Sequence, residues 1–101
     1  MKYFLINMNY VVPLEIVVEV APEHRAYLKA QFEAGRLLFS SARVPRTAGV
    51  LLARAEDIST IYEMIEGDPF KTEGIGEFEV VEITPILWAE ELSKVFGKRE
   101  E

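Results

Sequence analysis

The chain contains a single histidine, His24, and an aspartate set between a glycine and a proline, Asp68. An imidazole takes and gives a proton near neutral pH, and a carboxylate beside it fixes the tautomer and stabilises the charged ring. The two are the best chemical pair in this sequence, and their chemistry would be general acid–base catalysis. A helical pattern stops at Gly67, and Pro69 keeps Asp68 out of the helical region, so the carboxylate belongs at an element's end rather than on a solvated face. Both residues also have a plainer reading. A lone histidine on an apolar helix face is often a core-edge residue. An aspartate before proline often only fixes a turn, by accepting from nearby backbone N–H groups. The residues alone leave both readings open.

Other candidates are substrate contacts. Arg46, beside a proline turn with Arg43, could hold an anionic group, although a solvated loop charge is the commoner case. Ser40 and Ser41 read as strand residues without a nucleophile-elbow context, and Ser41 stands at the strand end, where a ligand could touch it. Tyr3, with Tyr10 and Tyr27, could line a pocket, though such aromatics usually serve a core. One histidine and scattered carboxylates give no spaced metal-ligand set, so no metal and no cofactor are expected.

Composition narrows the partners. A net charge of −6 without clustered Lys and Arg argues against a nucleic-acid surface. The absence of cysteine removes disulfides and thiolate chemistry and fits a reducing cytoplasm. No apolar run approaches the ~18 residues of a membrane span, and Tyr3–Met8 is too short for a signal peptide. We therefore expect one soluble, cytoplasmic domain over residues 1–101.

The elements that must position these residues follow from periodicity. Residues 3–8 read as a strand buried on both sides or nearly so. Tyr10–Val20, broken by Pro13, reads as an extended loop with a short strand. A helix is expected from Pro22, suited to the first helical position, to Ala34, with Gly35 as its stop. His24, Tyr27, Leu28, Gln31 and Phe32 would share its buried face, while Arg25, Lys29 and Glu33 point to water. His24 would then lie at a helix N-terminus, whose dipole favours the neutral ring. Strands are expected at 37–42 and 49–54, joined by the 43–47 loop, and at 78–84. Asp57 would cap a helix carrying Ile58, Ile61, Tyr62 and Ile65 on one face. Trp88, Leu92, Val95 and Phe96 suggest a C-terminal helix, and Lys98–Glu101 an end that frays.

The order β-α-β-β-α-β predicts an α+β, ferredoxin-like fold, with a four-stranded antiparallel sheet and both main helices on one face. The uncovered face would be apolar, and a face-to-face homodimer is the simplest way to bury it. Matched helix lengths, running antiparallel, would bring the start of the first helix to the end of the second. His24 and Asp68 should therefore lie within about 4 Å, or be bridged by one water, in an open cleft.

Three segments carry a family resemblance over nearly the whole chain: Pro22-Glu23-His24-Arg25-Ala26-Tyr27-Leu28, Glu33-Ala34-Gly35-Arg36-Leu37-Leu38, and Gly67-Asp68-Pro69-Phe70 with Gly74 after it. The chain resembles the YciI-like proteins of the dimeric α+β barrel superfamily. That resemblance implies an active site formed by a helix-one histidine and the aspartate of the Asp-Pro-aromatic turn, here His24 and Asp68. It implies a homodimer and a small-molecule ligand. Family members often carry Gly-Pro at the end of the second strand, where this chain has Ser41-Ala42, a changed pocket rim.

Overall fold

The computed structural model describes residues 1–98. Its elements are β1 (Lys2–Tyr10), α1 (Leu14–Glu33), β2 (Leu37–Ala42), β3 (Ala48–Ala55), α2 (Ile58–Glu66), α3 (Pro69–Thr72) and β4 (Gly76–Ile83). A 3₁₀ turn, Glu90–Leu92, and one helical turn, α4 (Ser93–Phe96), follow. The sheet is antiparallel in the order β2-β3-β1-β4, the ferredoxin-like arrangement expected. The fraying expected at the charged end falls, beyond Lys98, on residues outside those described.

β1 is the central ruler. Its inward residues Phe4, Ile6 and Met8 are buried under the helices, while Tyr3, Leu5 and Asn7 on the other face are half-buried. The strand is thus buried on one face only. Two packed groups form beneath the helices. One joins Phe4 and Ile6 to Leu28, Leu51, Ile61 and Ile65, and the other joins Met8 to Val17, Ala21, Phe70 and Ile75.

α1 departs most from expectation. Residues 14–20 are helical, and Pro22 lies inside the helix rather than at its start. Pro13 occupies the N-cap position, and its carbonyl accepts from Val17 N–H at 3.2 Å. An interior proline costs a backbone hydrogen bond, and β-branched Ile16, Val17 and Val18 are weak helix formers. Packing overrides both, because Val17, Ala21, His24, Leu28 and Gln31 form one continuous buried stripe. Phe32, expected on that stripe, is 42% exposed.

The end of α1 and the start of α2 follow the expected signals. Gly35 takes φ 77, which a side chain would resist. Asp57 accepts from Thr60 N–H at 3.2 Å as the N-cap of α2. β4 begins at Gly76, two residues before its expected start, because α3 and the Gly74 turn deliver the chain to the sheet sooner.

Candidate active site

Asp68 follows Gly67, the C-cap of α2, in an extended conformation (φ −73°, ψ 128°). Pro69 then opens α3, a short helix absent from the sequence reading, with Asp68 as its N-cap. The Asp68 carboxylate accepts from Phe70 N–H at 2.9 Å. The same oxygen lies 2.8 Å from His24 Nδ1. Both residues are buried, His24 at 6% and Asp68 at 3% exposure.

The contact expected between His24 and Asp68 is present, but its expected cause is not. α1 has 20 residues and α2 has 9, so the helix lengths do not match. The shorter α2 ends against the middle of α1, where His24 sits ten residues past Leu14. The ring is therefore far from the N-terminus of its own helix, and the α1 dipole argument does not apply to it.

A carboxylate only accepts, so His24 Nδ1 donates to Asp68 and the lone pair of a neutral ring falls on Nε2. Among the described residues Nε2 has no hydrogen-bond partner, yet no buried side-chain nitrogen or oxygen there is left unsatisfied. Nε2 therefore retains solvent contact. Phe70 stacks flat on the imidazole, with centroids 3.8 Å apart and planes 6° apart, and fixes the ring plane that the carboxylate does not. Tyr10 meets Phe70 edge-on at 6.3 Å.

His24 opens onto a cavity of about 200 Å³. Met8, Tyr10 and Gly49 come from the sheet, Ala21 and Arg25 from α1, Ser40, Ser41 and Ala42 from β2, and Arg46 from the β2–β3 loop. Ser41 and Arg46, candidates from sequence, thus share the cavity with His24, and the Ser41-Ala42 pair forms part of its wall. The Ser41 hydroxyl donates to Val50 C=O at 2.7 Å, and Ser41 pairs with Val50 on the sheet face away from the helices. Tyr3 is elsewhere. It lies near the opposite end of β1, donates to Val95 C=O at 3.1 Å, packs edge-on against Phe96, and lines a separate cavity with Trp88. Sequence reasoning gave no site role to Phe70, quoted in the Asp-Pro-aromatic turn, or to Arg25, which is exposed as expected and also lines the cavity.

Tyr27 supports the turn from below. Its hydroxyl donates to Met64 C=O at 2.7 Å, near the end of α2. Burial, and then the Asp68 carboxylate, push its pKa above the usual tyrosine value, against the pull of Arg36. Gly67 permits this approach, since a Cβ there would stand 2.6 Å from the Tyr27 hydroxyl. Among the described residues no three histidine, cysteine, aspartate or glutamate side chains cluster as a metal site would require, and no helix is long and apolar enough to cross a membrane.

Comparison with solved structures gives the 5-chloro-2-hydroxyhydroquinone dehydrochlorinase of Burkholderia phenoliruptrix AC1100, in complex with 2,5-dihydroxybenzoquinone. The similarity has a TM-score of 0.67 at 18% identity, and covers 80% of this chain and 91% of that one. At such identity the likeness establishes the shared fold. No curated protein matches the chain. The family model of the YCII-related domain matches residues 1–87, from β1 through the end of β4, and the chain therefore belongs to the YCII-related family.

Proposed function

We propose that this protein is a small-molecule enzyme that moves a proton on a carbonyl-activated substrate, in a lyase or isomerase reaction without a cofactor. His24 Nε2 takes a proton from carbon next to a carbonyl, and the C–H electron pair moves to the carbonyl oxygen as an enolate. Asp68 stabilises the imidazolium that forms. Returning the proton to a different atom of the enolate completes an isomerisation. Expelling a leaving group from the neighbouring carbon, with the enolate pair supplying the electrons, completes an elimination. Arg46 contacts the substrate, Ser41 shapes the cavity wall, and Tyr3 is left to anchor the C-terminal segment.

One observation carries this reading: a buried carboxylate orients a histidine that lines a cavity and whose other nitrogen keeps solvent contact. The volume lies below the ~300–1,000 Å³ of drug-sized sites, and suits a small ring or short acid. The structural neighbour is named for an elimination on a hydroxylated ring, which supports the same class of chemistry here. The working unit is a homodimer. It would bury the open sheet face, where Leu5, Val50, Leu52 and Val81 stand together opposite the helices.

A second reading has its own observation. The Asp68 oxygen that meets His24 also caps α3, so the pair could serve only to tie α1 to the turn, in a binding or assembly domain. Enolisation separates the two. Exchange of the benzylic hydrogens of phenylpyruvate into deuterium oxide, followed by NMR, should be accelerated by the wild type. His24→Gln should lose about 10²–10⁴-fold of that acceleration. Exchange equal in wild type and His24→Gln would reject the enzyme and leave the structural tie.

A further inference from the structure

The charge of the cavity runs against that of the chain. The sequence holds 17 acidic and 11 basic side chains, yet among the described residues no carboxylate lines the cavity around His24. Its charged wall residues among those described are Arg25 and Arg46. A wider cleft of about 450 Å³ shares His24, Arg25 and Ser40 with it, and adds Leu28, Phe32 and Lys29. Among the described residues no carboxylate lines that cleft either. His24 thus belongs to both spaces, one basic and partly polar, the other basic as well through Arg25 and Lys29 but adding the apolar side chains of Leu28 and Phe32. Phe32 lies open at 42% exposure where the helical stripe would have buried it.

From this arrangement we infer that the site takes a carboxylic acid bearing an apolar arm. Its carboxylate is held by Arg25 and Arg46 in the smaller chamber, and its arm lies over Leu28 and Phe32 in the wider one. Guanidinium groups suit a carboxylate through paired N–H donors, and a concave basic wall concentrates anions that the rest of an acidic surface repels. The arm gains by covering apolar surface that is otherwise wet. Placed so, the chain between head and arm passes His24. The inference deepens the proton-transfer reading and rests on it for what His24 does to the bound acid, whereas the binding preference comes from the arginines and the apolar wall.

Non-reacting probes separate binding from chemistry. Titration calorimetry on the full chain compares 3-phenylpropanoate, its neutral amide, and propanoate. The aryl acid should bind about tenfold or more tightly than either of the others. Arg25→Gln and Arg46→Gln should each weaken the aryl acid by about tenfold while leaving the amide unchanged. Phe32→Ser should erase the advantage of the aryl acid over propanoate. All three positions are exposed, so these substitutions spare the core. Equal binding of acid and amide, arginine variants that weaken both alike, or no binding of the aryl acid at millimolar concentration would each overturn the inference. Preferential binding together with His24-independent exchange would keep this preference and remove the proton-transfer reading instead.

Discussion

At the scale of residues, Asp68 has two duties that substitution can separate. Asparagine is as good an N-cap as aspartate, and its carbonyl can still accept from His24, but it brings no charge to stabilise an imidazolium. Asp68→Asn should therefore fold with little loss of stability while its proton-transfer rate falls sharply. Asp68→Ala removes the cap and leaves the buried Nδ1–H unpaired, at about 1 kcal/mol for the first and 1–3 kcal/mol for the second. Chemical denaturation and the exchange rate, measured on both variants, check the pattern. Equal rates in wild type and Asp68→Asn would show that the charge is idle. The pair was legible because the chain has one histidine and because Gly67 and Pro69 place Asp68 off the helix. Phe70 and Arg25 were not. Stacking on an imidazole leaves no spacing signature, and an arginine at a cavity rim reads like any other on a solvated helix face.

At the scale of elements, the turn after α2 depends on a missing side chain. Gly67→Ala would drive a Cβ into the Tyr27 ring, 3.2 Å from two of its carbons as well as 2.6 Å from its oxygen. We expect a loss of about 1–3 kcal/mol in urea unfolding. The loss should be smaller in a Tyr27→Phe background, where the shortest contact is gone. The cap of α2 gives the pH dependence. The Ser59 hydroxyl first, and then Thr60 N–H, hold the Asp57 carboxyl below its usual range. A depressed folded-state pKa contributes stability that is present above about pH 4 and is lost as pH falls through the folded value. Asp57→Asn should flatten the acid limb of a stability–pH curve, and an unchanged limb would contradict the cap's electrostatic role. α1 was misread for a local reason. Pro22 and a β-branched run both argue against helix, and only the stripe Val17, Ala21, His24, Leu28 and Gln31, seen whole, outweighs them.

At the scale of the molecule, the β-α-β-β-α-β order was legible because strand alternation and helical periodicity hardly overlap in this chain. The pairing of His24 with Asp68 came out of that topology although the helix lengths behind the argument were unequal. The open sheet face now has a boundary, since Tyr3 and Phe96 close one end of it with α4. A dimer should form over the remainder, where Val81, 43% exposed, faces out beside Leu5. Sedimentation should give a dimer for the wild type and a monomer for Val81→Lys, and a wild-type monomer at micromolar concentration would count against the pairing. The central claim is that Asp68 holds His24 with Nδ1 protonated and Nε2 free to act. Because the chain has one histidine, its ring signals need no assignment. Long-range ¹⁵N–¹H NMR of the neutral ring should show the Nδ1–H tautomer, with the Nε2 signal moving when phenylpyruvate is added. An Nε2–H tautomer, or a ring that no added acid perturbs, would contradict it.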